Sequence, residues 1–115
     1  MTTMQEKTAQ LITTLTEKTS QNRIEWEKTP SERIYKVQFN GDAVFIREHE
    51  PSQLGNKAYS LSIVDDSGQV VEIIRQQPGD DNYTRLAQMY IVSRRSAEYN
   101  AEASLDRLLQ ELESR

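Results

Sequence analysis

Cysteine is missing from all 115 residues, which excludes a disulfide framework, thiolate chemistry and any cysteine-based zinc site, and agrees with a reducing compartment. Glycine and proline are scarce, at four and three residues, so each break in the chain can be placed individually. Aromatic residues make up 7% and the wider hydrophobic set 36% of the chain, with a mean hydropathy of −0.76. A core built from so little must be thin, although a chain of this length can still remove roughly two-thirds of its unfolded surface from water. No apolar run approaches the roughly 20 residues that span a bilayer. The polar opening Met1-Thr2-Thr3-Met4-Gln5-Glu6 has neither the basic nor the apolar region of a secretory signal. The expectation is one small cytoplasmic domain over residues 1–115, with no membrane contact. Basic residues are outnumbered, giving a net charge of −4, and no basic stripe is visible of the kind that neutralises phosphates, so nucleic acid is not an expected partner.

What is present reads as an α+β fold: an N-terminal helix, a four-stranded antiparallel sheet of two consecutive hairpins, and a long C-terminal helix or helix pair packed on the sheet. Over residues 3 to about 19, Met4, Leu11, Ile12 and Leu15 share one helical face, and Thr3 with Glu6 has the spacing of a capping box. An extended piece carrying Ile24 and Trp26 follows. Asn40-Gly41, between two alternating runs, predicts a two-residue turn with positive φ at both positions, pairing Val37 with Val44 and Tyr35 with Ile46. The second hairpin turns at Asp65-Asp66-Ser67-Gly68. A three-residue loop with a bulge at Gly68 puts Ile63 opposite Val71 and Leu61 opposite Ile73. Residues 49–57 join the hairpins. After Pro78-Gly79, with Asp80 or Asp81 as the cap, neither glycine nor proline occurs up to Arg115, and a near-helical period runs from Tyr83 to Leu112. An unbroken helix of that length outruns the sheet, so it either kinks near Tyr99-Asn100 or projects and must find another surface.

No reactive constellation emerges. His49 is flanked by Glu48 and Glu50, which in a strand point to the face opposite its own and cannot orient it. Asp65, Asp66, Asp80 and Asp81 lack the alternating spacing of a calcium loop and suit turns and caps. The glycines are isolated and form no phosphate loop. Catalytic, cofactor and metal residues are therefore expected to be none, and the chain is expected not to be an enzyme.

The informative feature is the second face of the sheet. With the registers above, Tyr35, Val37, Phe39, Val44, Ile46, Leu61, Ile63, Val71 and Ile73 meet the helices, leaving Ile34, Phe45, Val64, Val70 and Ile74 on the reverse side. That is unusually apolar for a wetted face. The expectation is a non-enzymatic protein-protein interaction module, of the adaptor, inhibitor or immunity type, binding a protein partner or a second copy. Ile34, Phe45, Val70, Ile74, Leu109 and Leu112 would carry the contact. The alternative is a small-ligand module with a pocket between sheet and helix, lined by Tyr35, Tyr59, Tyr83 and Tyr90. The order of helix, tryptophan, two hairpins with an Asp-Asp-Ser-Gly turn, and a tyrosine- and leucine-lined final helix resembles small bacterial or phage proteins without an assigned activity; the pattern spans the chain but carries over no functional residue.

Overall fold

The computed structural model describes residues 3–52 and 55–115; positions 53 and 54 of the loop joining the hairpins, and Met1 and Thr2, lie outside the described residues. The order is α1 (Met4–Ser20), β1 (Glu27–Lys28), β2 (Ile34–Phe39), β3 (Asp42–Glu48), β4 (Tyr59–Val64), β5 (Val70–Gln76) and α2 (Tyr83–Glu113). Thr3 caps α1 reciprocally with Glu6: the Glu6 amide donates to the Thr3 hydroxyl, and the Thr3 amide donates to the Glu6 carboxylate. The helix ends at Ser20 with Gln21 as its C-cap, and Asn22 just beyond lies in the left-handed region.

The sheet is antiparallel in the order β1-β2-β3-β4-β5. It therefore has five strands rather than the four expected. The extra one is the two-residue β1, in the extended piece around Trp26, paired with Tyr35 and Lys36 of β2; two residues are too few for any alternation to announce a strand. The β2/β3 register is the one Asn40-Gly41 dictates, with Tyr35 opposite Ile46 and Val37 opposite Val44. At the second hairpin the loop closes as expected, Asp65 pairing with Gln69 around Gly68 at φ +85°. The strand pairing beyond it is different. Val64 faces Val70 but Ile63 faces Glu72, so Val71 is bulged out and Leu61 meets Ile74, not Ile73. Without this bulge Arg75 would stand opposite Tyr59 beneath α2. With it, Gln76 takes that place and Arg75 moves to the other face beside Ser60, which avoids desolvating a guanidinium.

Both helices contribute to one core. Ile12 and Leu15 of α1, Leu86, Met89, Tyr90 and Ala97 of α2, and Tyr35, Val37, Val44, Ile46, Tyr59 and Leu61 of the sheet form one buried cluster around Trp26. The two helices cover the same sheet face, and neither covers the other. Trp26 is fully buried: its indole N–H donates to the Thr19 hydroxyl at 2.8 Å, its backbone N–H donates to Ser96 Oγ at 2.9 Å, and Asn100 donates to its carbonyl.

α2 starts at Asn82, not at an aspartate; Asp80 instead accepts from the Gln77 amide at 2.7 Å and holds the preceding turn. It is one unbroken helix of 31 residues, about 46 Å long at the standard rise, against about 19 Å for the width of five strands. Tyr83 and Tyr90 lie against Tyr59, Tyr90 also against Tyr35, and Asn100 against Trp26. The helix thus crosses from β4 to β1; Ala101 and Ala103 are still half-buried, Ala103 lining a cleft with the end of α1 and residues 22–25, and beyond them every residue is exposed and the helix projects past the β1 edge. The radius of gyration, 15.9 Å, exceeds the about 13 Å of a compact chain of this size, as a projecting arm requires.

Candidate interaction surface

Two surfaces are left without a cover. The first is the outer sheet face. Strand alternation and the observed register put Ile34, Lys36, Phe45, Arg47, Ser60, Ser62, Val64, Val70, Ile73 and Arg75 there. Ile34, Phe45 and Val64 are half-buried by their neighbours, while Val70 and Ile73 are more than half exposed, as is the bulged Val71. The bulge corrects the expected composition of this face: Ile74 packs against the core, and Ile73 takes its place outside. The signal that could have shown it was Arg75, two positions from Ile73 and on the helix-covered side in any register that buries Ile73.

Charge on this face runs against the chain's overall sign. Arg47 and Arg75 flank Ser60 in one cross-strand row, and with Arg33, His49, Glu48 and Glu50 they border a cleft of about 470 Å³. No ion pair among the described residues uses any of the three arginines, while Lys36 is 3.9 Å from Glu27. His49 shares a hydrogen bond with Ser60 Oγ at 2.9 Å. Burial, then Arg75 and Arg47, hold its imidazole below the usual histidine range. Glu48 bonds elsewhere, to the Tyr59 hydroxyl at 3.2 Å and Lys57 at 3.5 Å. Among the described residues no group of three histidines, aspartates or glutamates is placed to hold a metal ion, and no helix is long and apolar enough to cross a membrane.

The second surface is the free end of α2. Leu105, Leu108, Leu109 and Leu112 are each more than half exposed, spaced as one helical stripe. Residues 101–115 carry four carboxylates (Glu102, Asp106, Glu111 and Glu113) against two arginines. Glu111 pairs with Arg115 at 2.9 Å and Arg107 donates to Ser104, leaving Glu102, Asp106 and Glu113 without an ion pair among the described residues.

The tyrosines come together as the sequence reading anticipated, but as packing. Ring centroids lie 5.7 Å apart for Tyr35 and Tyr90, 5.8 Å for Tyr59 and Tyr83, and 5.4 Å for Tyr59 and Tyr90. Three of the four hydroxyls are taken by the chain itself: Tyr35 donates to the Glu32 carbonyl, Tyr59 to Glu48, and Tyr83 to the Lys57 carbonyl. Burial and the nearby Glu48 push Tyr59 up to about 12, and burial, Glu48 and Tyr35 push Tyr90 up to about 12, so both stay protonated. Clefts of about 820, 480 and 470 Å³ are lined by other residues.

Comparison with protein-family models, with curated proteins and with solved structures gives no match.

Proposed function

We propose that this chain is a non-enzymatic protein-protein interaction module that binds through the outer face of its sheet and the free end of α2. The observation that carries the reading is the placement of both helices on one face. Apolar side chains at Val70, Val71 and Ile73, and the four leucines of α2, stay in water while the same chain buries a thin core. Burying an apolar side chain is worth about 1.5–3 kcal/mol, so leaving several exposed costs stability that a partner would recover. Among the residues first expected to make the contact, Ile34, Phe45 and Val70 lie on the outer face and Leu109 and Leu112 on the free helix end; Ile73 replaces Ile74.

The test is affinity capture of the tagged chain from lysate of its source cell, after nuclease treatment and at moderate salt, alongside the Phe45→Asp and Leu109→Asp variants. Leu109 touches no core element, so its variant must fold as the parent does by circular dichroism. A stoichiometric protein lost in both variants supports the reading. Equal capture by parent and variants refutes it.

A further inference from the structure

The sheet ends on two unlike edges. β1 offers only two residues and lies against α2, and an edge that short is a poor template for another strand. β5 offers seven, Val70–Gln76, with neither proline nor lysine among them and with Val70, Val71 and Ile73 more than half exposed. Which of its backbone groups are free follows from the ladder. The His49 amide donates to the Ala58 carbonyl at 2.8 Å. Bonded positions alternate in an antiparallel pair, so Ala58, Ser60 and Ser62 bond toward β3, while Tyr59, Leu61 and Ile63 bond toward β5. Their partners in β5 are Gln76, Ile74 and Glu72. Ile73 and Arg75, which alternate with these, direct their N–H and C=O groups outward, at the spacing a sixth strand needs.

Two of these outward groups are already occupied, each by the side chain of an adjacent residue. The Ile73 amide donates to the Glu72 carboxylate at 3.1 Å, and the Arg75 carbonyl accepts from the Gln76 side-chain amide at 3.1 Å. One donor and one acceptor are thus held, and they are complementary to each other. If β5 met β5 of a second copy across a two-fold axis at Ile74, each Ile73 would exchange both backbone bonds with Arg75 of the other copy. In that register Glu72 stands opposite Gln76 and Ile74 opposite itself, so no like charges are set face to face. An axis at Ile73 would instead set Arg75 against the bulged Val71, where the strand is irregular. We propose that Glu72 and Gln76 guard this edge: their side chains hold the Ile73 N–H and the Arg75 C=O within the chain, and loss of the Glu72 bond opens β5 to antiparallel pairing with β5 of a second copy. The guarded edge is separate from the outer sheet face and the end of α2, so it can fail without the interaction reading above.

Sedimentation velocity of the full chain between about 1 and 200 µM tests it, with circular dichroism confirming that each variant is folded. Glu72→Val removes the guard and should give a species of twice the 13.3 kDa chain mass at the upper concentrations, self-associating at least about tenfold more tightly than the parent. Glu72→Gln removes the charge but keeps a side-chain oxygen that accepts from the Ile73 amide, and should behave as the parent does. Adding Ile73→Pro to Glu72→Val deletes the outward N–H and places the ring on the free side of an edge strand, where proline is tolerated; association should fall back to the parent's level. In Glu72→Val, NMR should show the Ile73 and Arg75 amides exchanging at least about tenfold more slowly as concentration rises. Glu72→Val that associates no more than the parent overturns the proposal, as does equal association of Glu72→Gln and Glu72→Val, which would make charge alone the guard. Association of Glu72→Val that survives Ile73→Pro, or that leaves both amides exchanging freely, puts the contact elsewhere and overturns it too.

Discussion

Replacing Thr19 by valine isolates the bond that fixes Trp26. The hydroxyl of Thr19, itself buried, donates to the Leu15 carbonyl at 2.6 Å and accepts from the indole N–H of Trp26 at 2.8 Å. Valine keeps the shape and removes both bonds. The Leu15 carbonyl can retain its helical partner, but the indole N–H is stranded in a site with no solvent access, at a cost of about 1–3 kcal/mol. An unfolding entropy of about 2.1 cal/mol/K per residue amounts to about 0.24 kcal/mol/K for this chain, so the midpoint should fall by about 4–12 °C. Thr19→Ser is the control: it keeps the hydroxyl, loses one methyl group, and should cost about 1 kcal/mol or less. The assay is thermal and urea unfolding followed by circular dichroism and by the emission of Trp26, the single tryptophan. If Thr19→Val is as stable as Thr19→Ser, the indole bond contributes nothing and the reasoning fails. The site matters beyond stability, because Trp26 also binds Ser96 and Asn100, and so sets where α2 leaves the sheet.

The core and the arm of α2 should respond differently to truncation. Leu86→Ala, at a fully buried position, should destabilise by about 2–5 kcal/mol, whereas Leu109→Ala should stay within about 0.5 kcal/mol in dilute urea titrations; equal losses would show that the arm packs on the body. Ser93 is fully buried in α2, and its hydroxyl has no hydrogen-bond partner among the described residues, so Ser93→Ala should hold or raise the midpoint, by up to about 1 kcal/mol in stability, and a clear loss would reveal an unseen partner. The imidazole of His49 should titrate below its ordinary 6.5 by NMR, and Arg75→Gln should move it up. Because the folded value is depressed, its contribution to stability is complete above about pH 6.5 and is lost as pH falls through the folded value; a midpoint at or above 6.5 would contradict both the burial of the ring and the effect of the two arginines. Gly41 sits at φ +112° with a Cβ position 3.1 Å from Asp66 Cβ, so Gly41→Ala should destabilise by more than about 1 kcal/mol in the same unfolding assay, and a neutral result would show that the two turns are free to separate.

The features written locally in the sequence are those whose energetics are local. Asn40-Gly41 sets the first register because few other pairs accept positive φ twice, and Asp65 stabilises the second turn alone, its carboxylate accepting from the Ser67 amide, the Ser67 hydroxyl and the Gln69 amide. The bulge at Val71 is a different kind of event. Either neighbouring register gives β5 an isoleucine toward the core, Ile73 or Ile74, and alternation cannot choose between them. The choice falls to Arg75, whose cost depends on α2 lying over that side of the sheet, a contact made by Tyr83 and Tyr90, eight and fifteen positions later in the chain. The same holds for the arm: the leucine period is plain in the sequence, yet kink and projection differ only in whether anything lies beneath residues 101–112. Both decisions fall on the surfaces proposed to bind. Val71 bulges and Ile73 turns outward so that a guanidinium stays hydrated, and the outer face thereby gains an apolar residue and a positive charge in one step.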